Sequence, residues 1–246
     1  RSNRMKIESD FAELYCGVRQ GRTNGGPIGL IIQNKDHKNW SECMSVEKNK
    51  YSKKVTLPRP GHADLAGVMK FGFDDIRDVI ERSSARETAM RVALSSICRK
   101  ILEDLDIELC SRVIQIHSII DHSKVDFSQS LTKLNKIIDK SDVRCLDKEA
   151  ELRMIDAINA AKKEGDSVGG IIEIYCSGLP FGLGSYTQWD KKLQSKISES
   201  LLSINAFKGI EFGMGFNAAS TLGSNVHDEI TTDNKNLKRK TNNAGG

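Results

Sequence analysis

Residues 84–105 read SARETAMRVALSSICRKILEDL, and this stretch predicts the clearest helix of the chain, over Ala85–Leu105. Apolar residues recur in it at spacings of three and four and so share one helical face: Met90, Leu94, Ile97, Ile101 and Leu105. Ser84 and Glu87 have the spacing of a capping box, in which a hydroxyl and a carboxylate satisfy each other's backbone amides. We therefore expect an amphipathic helix that begins directly after Ser84.

Predicted strands occur on both sides of this helix. Phe11–Arg19 alternates apolar and polar residues, Pro27–Asn34 holds an apolar run, and the glycine-rich cluster at 21–26 predicts a turn between them. Further elements are predicted after the helix: strands over Ile107–Ile120 and Val168–Ser177, and helices over Lys148–Glu164 and Trp189–Phe207. Because strands come in adjacent pairs as well as beside helices, the sequence favours the α+β class.

Two polar segments of the chain show little periodicity. Residues 35–58 are rich in lysine, and residues 121–147 hold only a short predicted helix around Leu131–Ile138. Long segments of this kind tend to form functional or mobile loops, so we predict surface excursions at both places. The sequence shows no internal repeat, and we expect a single domain over residues 1–246.

Composition excludes several classes of protein. Hydrophobic residues make up 38% and charged residues 28% of the chain. This composition is too apolar for a disordered tail and too polar for a membrane protein. No apolar run approaches the ~20 residues of a spanning helix, and no secretory signal is expected. The net charge of +4 is too small to argue for nucleic acid. The six scattered cysteines form no CxxC pair, which predicts no metal site and a reducing compartment, the cytoplasm.

The start of the predicted helix could hold an anion. Helix N-termini present unpaired amides and roughly half a positive charge. Arg82, Ser83 and Ser84 lead into this helix. Arg86 lies in its first turn, where a cation is unfavourable for the helix itself, and a bound anion is expected where such a local rule is broken. The alternative is an ordinary N-cap flanked by solvated arginines.

The loop Pro58-Arg59-Pro60-Gly61-His62-Ala63-Asp64 combines two prolines, which restrict the backbone, with a glycine that permits a sharp bend. It is predicted to be a stiff loop that presents Arg59, His62 and Asp64. His62 can transfer a proton near neutral pH. The alternative is a histidine whose hydrogen bonds serve only the structure of the loop.

The residues 59–64 and 81–93 together resemble the signature region of the chorismate synthase family. Further blocks are similar to blocks of that family and occur in the same order, at residues 4–8, 165–170, 182–185, 189–193, 203–209, 227–230 and 241–246. The resemblance covers essentially the whole chain. It implies a β-α-β sandwich that assembles as a homotetramer.

The resemblance also implies an activity, the last step of the shikimate pathway in aromatic amino acid biosynthesis. In this reaction 5-enolpyruvylshikimate 3-phosphate loses phosphate and a ring hydrogen by a 1,4-anti elimination to give chorismate. The family needs reduced FMN although the reaction has no net redox change, and NADPH is a candidate source of electrons for the flavin. No metal, nucleic acid or membrane is expected to take part.

Roles for individual residues follow from the resemblance. His62 matches the family's conserved acid, which protonates the flavin or the departing phosphate. The residues that match flavin-contacting segments are Arg82, Ser83, Ser84, Asn205 and Ala206. Arg59 is expected to face the anionic groups of the substrate. Arg86, near the helix start, is a second candidate on physical grounds and not from the resemblance, since a departing phosphate needs preorganised cations. Arg1 matches an arginine of a basic loop that binds phosphate or NADPH.

The chain lacks the family's Gly-Glu-Ser-His-Gly block, which carries a second catalytic histidine, and the family's C-terminal part. We therefore expect an internal fragment of a longer chain, truncated at both ends, that by itself neither binds FMN tightly nor turns over. One alternative is an inactive truncated relative. Another is a basic module for single-stranded nucleic acid, but aromatic residues, which such a module stacks on bases, make up only 6% of the chain.

Overall fold

The computed structural model describes residues 10–50, 53–233 and 236–244. The chain divides into two compact units, the first formed by residues 1–94 and 184–246 and the second by residues 95–183. That the chain forms a single domain stays a prediction. The segments that carry the predicted site residues all belong to the first unit.

Helices and strands are mixed along the chain, which confirms the predicted α+β class. The strands are β1 (Ala12–Cys16), β2 (Val18–Arg19), β3 (Arg22–Thr23), β4 (Gly29–Ile32), β5 (Glu108–Ile116), β6 (Ile119–Ile120), β7 (Gly170–Ser177), β8 (Ile230–Asp233) and β9 (Asn236–Arg239). The α-helices are α1 (Asp64–Phe71), α2 (Arg77–Arg82), α3 (Glu87–Asp104), α4 (Leu131–Ile138), α5 (Lys148–Lys163), α6 (Leu193–Leu202) and α7 (Gly223–Val226). Short 3-10 helices occur at His37–Asn39, Trp189–Lys191 and Gly215–Ser220.

The strands predicted near the start of the chain pair with each other. β1 and β4 run antiparallel, with Ala12 opposite Ile32 and Leu14 opposite Leu30. The glycine-rich segment between them forms a small hairpin of its own from β2 and β3. β8 and β9 form a further antiparallel pair in the same unit. Residues 35–50 and 53–58, within the first predicted excursion, are exposed or half-buried.

Helix α1 lies directly on helix α2 because a glycine faces a valine. A Cβ atom on Gly67 would lie 2.5 Å from Cγ1 and 2.7 Å from Cγ2 of Val79, closer than side-chain carbons approach. Val79 and Ile76 of this region are both buried. The residue before α1 is Ala63 and the last residue of α2 is Arg82. The contact therefore connects the loop of His62 to the segment that leads into α3.

The second unit is built on a three-stranded sheet in the order β6-β5-β7. β5 pairs antiparallel with both neighbours, and Cys110 lies opposite Tyr175. Helix α4 covers Cys110 with three buried residues: Leu131, Leu134 and Ile138. Ala150 and Met154 of α5 pack with Cys145 in a second buried cluster.

Residues 121–147 differ from the surface excursion that the sequence predicted. Helix α4 lies where the short helix was predicted, but its apolar face forms part of the core. Asp121 is also buried, and its carboxylate accepts hydrogen bonds from the backbone N–H groups of Ser123 at 2.9 Å and Leu146 at 2.7 Å. A few well-placed apolar residues in a polar segment are thus enough to build a core.

Two of the predicted helices have different limits or surroundings in the structure. α3 begins at Glu87 rather than Ala85, and three residues of its predicted apolar face are exposed: Leu94, Ile101 and Leu105. The predicted helix Trp189–Phe207 is divided, because the extended backbone of Lys192, at ψ 131°, separates the 3-10 helix from α6. Among the described residues, no helix is both long and apolar enough to cross a membrane.

Candidate functional site

The capping box predicted at the start of α3 does not form. The hydroxyl of Ser84 accepts a hydrogen bond from the backbone N–H of Arg86 at 3.2 Å, which makes a tight turn before the helix. The carboxylate of Glu87 instead accepts a hydrogen bond from Nε of Arg91, four residues along the helix, at 2.8 Å. The backbone N–H of Ser84 donates to the carbonyl of Glu81 at 3.4 Å. The carboxylate of Glu87 therefore pairs with Arg91, and Glu87 contacts Ser84 through its backbone N–H, which donates to the Ser84 carbonyl at 3.1 Å.

The end of α6 reaches this helix start. Nδ2 of Asn205 donates to the carbonyl oxygen of Ser84 at 3.2 Å, although the two residues lie 121 positions apart. Arg91 strengthens the junction, because its guanidinium donates to Oγ of Ser203 at 2.9 Å and to the carbonyl of Ser203 at 3.2 Å. Two segments that the family resemblance assigns to flavin contact are thus joined by one direct hydrogen bond, and the contacts of Arg91 with Ser203 lie beside it.

Ala206 gives the turn after α6 its shape. Its φ angle is +72°, in the left-handed region that side chains with a Cβ rarely adopt. Such strain persists where the surrounding structure holds it, and here the neighbouring Asn205 is tied to Ser84. Asn205 and Ala206 are both exposed. The junction consequently has a solvent-facing edge made of a carboxamide and a strained turn.

The other residues predicted at the helix start are placed in three different ways. The hydroxyl of Ser83 donates to the carbonyl of Val79 at 2.7 Å and so closes the last turn of α2. Arg82, at the end of α2, is exposed. The guanidinium of Arg86 donates two hydrogen bonds to the carboxylate of Asp10, and neither side chain is more than 26% exposed. The charge expected to attract a bound anion therefore already faces a carboxylate.

The loop before α1 places the imidazole of His62 in solvent. Gly61 has φ +71°, so the bend expected at this glycine is present. Nδ1 of His62 lies 2.9 Å from the carbonyl oxygen of Pro60. Because a carbonyl can only accept, we assign the hydrogen to Nδ1, and Nε2 is the nitrogen that exchanges protons with a ligand.

Asp64 is not presented by the loop as the sequence predicted, because its side chain is 0% exposed. Its carboxylate accepts hydrogen bonds from three groups of Arg59, each at 2.9 Å: Nε, Nη2 and the backbone N–H. The hydrogen bonds from the Arg59 side chain lower the pKa of Asp64 from 3.8 to about 2, and the same contact raises the pKa of Arg59. That Arg59 also faces the substrate stays a prediction.

The structure therefore brings the predicted residues together in two groups within the first unit. Ser84 and Asn205 touch directly, with Arg82, Ser83 and Ala206 beside them in the chain. Arg59 and His62 share the loop before α1, and the packing of Gly67 on Val79 links that loop to the first group. Arg1 lies outside the described residues.

Four residues that bind these two groups were not predicted from the sequence as their partners: Asp10, Arg91, Ser203 and Asp64, which was expected to face solvent. Arg91 follows Glu87 at the i, i+4 spacing of a helical ion pair, which is a signal that the sequence did offer. Asp10 and Ser203 meet their partners only through the fold. In the described part of the chain, no group of three or more His, Cys, Asp or Glu side chains is arranged to hold a metal ion.

Comparison with known proteins gives the same family throughout the chain. The family model of chorismate synthase matches residues 1–246. Three relatives named chorismate synthase cover all of this chain: those of Alkaliphilus metalliredigens, Listeria welshimeri and Geobacillus sp. (strain WCH70), at 51%, 49% and 47% identity. The chain spans 64% of the length of each.

The structure also resembles a crystal structure of chorismate synthase, with a TM-score of 0.81 at 35% sequence identity. This match covers 99% of the chain and 68% of the solved one. A fold shared at this level agrees with the α+β class and with the family signature around His62 and Ser84. From its sequence and its fold, the chain belongs to the chorismate synthase family.

Proposed function

We propose that this chain supplies flavin-binding and acid–base residues of a chorismate synthase, a carbon–oxygen lyase of aromatic amino acid biosynthesis. The whole protein would convert 5-enolpyruvylshikimate 3-phosphate to chorismate and phosphate by 1,4-anti elimination with reduced FMN. The hydrogen bond from Asn205 to Ser84 carries the proposal. It joins two segments that the family resemblance assigns to flavin contact, in a chain that matches the family model from residue 1 to residue 246.

The groups around this hydrogen bond suit a flavin. One edge of an isoalloxazine presents carbonyl acceptors and an N–H donor, and the exposed carboxamide of Asn205 offers a partner for either kind. The exposed guanidinium of Arg82 is suited to the phosphate of FMN. The residues that would hold the cofactor are Arg82, Ser83, Ser84, Asn205 and Ala206. When bound, reduced FMN would lend electron density to the substrate ring and recover it.

His62 would move the proton that the reaction needs. Its Nδ1–H is held by the carbonyl of Pro60, so the exposed imidazole delivers or accepts a proton at Nε2. Protonation there also creates a cation, which would stabilise the charge that develops on the departing phosphate. The proposed role of His62 is therefore a general acid toward the phosphate or the flavin.

Arg59 and Arg86 would supply further positive charge for the substrate's phosphate and carboxylates. Each guanidinium already donates to a carboxylate, that of Asp64 or Asp10. These ion pairs hold the two cations in defined positions, which is the preorganisation that electrostatic catalysis requires. An anionic substrate would share each guanidinium with its acidic partner.

Several features of the whole protein stay predictions. They are the homotetramer, the cytoplasmic location, the use of NADPH for flavin reduction, and a phosphate or NADPH contact at Arg1. The inactivity of the isolated chain also stays a prediction. The alternative of an inactive truncated relative, which would not catalyse the reaction at all, stays open beside it.

The proposal is tested with the full-length protein that contains this chain. Chorismate formation is measured under anaerobic conditions with reduced FMN, and FMN affinity is measured by fluorescence titration. We expect turnover in the unmodified protein and weaker FMN binding in Asn205→Ala, whereas Asn217→Ala, an exposed asparagine of the same unit, should match the unmodified protein.

Two results would refute the proposal. One is a folded full-length protein that forms no chorismate with reduced FMN. The other is an Asn205→Ala protein with unchanged FMN affinity and unchanged turnover. A complementation experiment then decides between an active enzyme and an inactive truncated relative. A chorismate auxotroph that expresses either the isolated chain or the full reading frame is tested for growth without aromatic supplements.

A further inference from the structure

Asp64 is a fully buried carboxylate that the reaction proposed above does not use. It occupies the first position of α1, two residues after His62, and is 0% exposed. Both of its oxygens accept hydrogen bonds from Arg59, whose own side chain is 44% exposed. We call the paired hydrogen bonds from Nε and Nη2 of Arg59 to this carboxylate the fork. A buried charge is costly unless it is paired and hydrogen-bonded, so Asp64 can stay buried only because the fork is present.

The fork closes the loop into a ring that contains His62. Arg59 and Asp64 hold the two ends, and residues 60–63 lie between them. The backbone N–H of Arg59 also donates to Asp64, so the main chain at the start of the ring is fixed together with the side chain. The carboxylate thus acts on the backbone of the loop as well as on the guanidinium.

The weak point of this loop is the peptide group between Pro60 and Gly61. The pyrrolidine ring fixes φ of Pro60, but it does not fix ψ, which sets the direction of the Pro60 carbonyl. Gly61 adopts positive and negative φ with similar ease, so its own preference does not stop this peptide from turning over. Its observed φ of +71° belongs to a turn in which the backbone N–H of His62 donates to the carbonyl of Arg59 at 3.4 Å. This turn depends on the position of the Arg59 backbone, which the hydrogen bond to Asp64 fixes.

The Pro60 carbonyl decides how the imidazole of His62 is used. It lies 2.9 Å from Nδ1, and this contact keeps the hydrogen on Nδ1 in the neutral ring and leaves Nε2 as the outward nitrogen. If the peptide turned over, the carbonyl would leave Nδ1 and the ring would lose both its orientation and its fixed tautomer. Proton transfer to a ligand would then start from a mixture of arrangements.

We propose that Asp64 is a positioning residue for His62: through its fork with Arg59 it holds the Pro60 carbonyl on Nδ1 and so presents Nε2 to the ligand. The catalytic meaning of this arrangement rests on the proposed function, whereas the arrangement itself does not. Asp64 takes no part in proton transfer, since its low pKa keeps it charged at any pH near neutrality.

The test compares Asp64→Asn with Asp74→Asn in the full-length protein. Asp74 is a matched control in the same unit, because its exposed carboxylate also binds a cationic side chain, that of Lys54. Asparagine keeps the size of the side chain but removes the charge and one acceptor oxygen. Selective ¹⁵N labelling of histidine reports the tautomer of each ring, and the signal of His62 is identified by its absence in His62→Gln.

We expect Asp64→Asn to lower kcat by about 10- to 100-fold, the range that follows from displacing a catalytic group by about an ångström. KM for the substrate should change little, and the neutral ring of His62 should no longer be held as the Nδ1–H tautomer. Asp74→Asn should match the unmodified protein in all three measurements. Should Asp64→Asn fail to fold, Arg59→Lys, which keeps a cation but cannot form the fork, should give the same tautomer change.

Three results would overturn the positioning role. The first is an unchanged His62 tautomer in Asp64→Asn, or in Arg59→Lys where the first variant does not fold. The second is a rise in KM with unchanged kcat, which would make Asp64 a partner of substrate binding through Arg59. The third is an equal loss of kcat in Asp74→Asn. If the unmodified protein forms no chorismate, the proposed function fails, and the tautomer measurement still decides the role of Asp64.

Discussion

Replacing Gly67 by alanine tests how tightly α1 lies on α2. The added Cβ would lie 2.5 Å from Cγ1 and 2.7 Å from Cγ2 of Val79. Carbon atoms attract each other best at ~3.5–4.0 Å, so the new methyl group would overlap the valine by about 1 Å. Val79 is 8% exposed and, as a β-branched residue of a helix, strongly prefers one rotamer. The overlap must therefore be relieved by moving the two helices apart.

Two effects of opposite sign set the size of the change. Overpacking a filled site costs about 1–3 kcal/mol, and alanine gains about 1 kcal/mol over glycine in helix propensity. We expect Gly67→Ala to lower the free energy of unfolding by up to about 2 kcal/mol. In a Val79→Ala background both γ-carbons are absent and only Cβ of residue 79, at 3.2 Å, stays close, so the same substitution should raise the free energy of unfolding by up to about 1 kcal/mol. The difference is a coupling energy of about 1–3 kcal/mol.

Urea denaturation of the full-length protein, the two single variants and the double variant measures this coupling at one fixed protein concentration. Gly209→Ala in the same unit serves as the control, because its added Cβ would meet no heavy atom within 4 Å. If the effects of Gly67→Ala and Val79→Ala simply add, the close contact does not exist in solution. The link between the His62 loop and the segment before α3 would then be wrong as well.

Three further substitutions test other parts of the chain. The pKa of Asp64 is lowered from 3.8 to about 2, so the stability that its charged form contributes is complete above pH ~4 and is lost toward pH 2. The difference in urea midpoint between the unmodified protein and Asp64→Asn should therefore shrink as the pH falls over this range. Ile138→Ala should lower the free energy of unfolding by about 2–5 kcal/mol, measured by thermal unfolding, because Ile138 is 0% exposed. Ile137→Ala should lower it clearly less, because Ile137 is 47% exposed. Asp147→Ala should lower the free energy of unfolding by about 1 kcal/mol, because it removes the N-cap of α5. Amide hydrogen exchange in the first turn of α5 should become faster, and unchanged protection there would contradict the role of Asp147 as N-cap.

Helices with a strong local signal could be predicted from the sequence almost to the residue. α4 occupies Leu131–Ile138 because Ser130 caps it and its apolar residues fall on one face. α5 begins at Lys148 because the carboxylate of Asp147 accepts from the backbone N–H groups of its first turn. In both cases the interactions that define the helix end lie within a few residues of it, so a short window of sequence contains them.

Other features depend on choices between competing partners, which a motif does not resolve. Ser84 and Glu87 have the spacing of a capping box, but Glu87 pairs with Arg91 and the box does not form. Asp64 could have faced solvent beside His62, yet Arg59 draws it into the protein. The sequence lists the groups available at each place, and the fold decides which pair forms.

Burial and long-range contacts were the least predictable part of the molecule. The regular spacing of Leu94, Ile101 and Leu105 predicted a helix correctly, but these side chains are exposed in this chain. The family resemblance placed Ser84 and Asn205 near a common flavin, and the structure adds the hydrogen bond that joins them. That contact bridges segments with no pattern in common, so only the fold could reveal it.

The hydrogen bond between Asn205 and Ser84 also sets the order of events during synthesis. The two residues are separated by 121 positions. A ribosome that adds about 5–20 residues per second needs roughly 6–24 s to travel from the first codon to the second. Throughout this interval the nascent polypeptide carries the carbonyl of Ser84 without the side-chain donor of Asn205. A translation arrest before the codon of Asn205 therefore yields a product in which this junction cannot close.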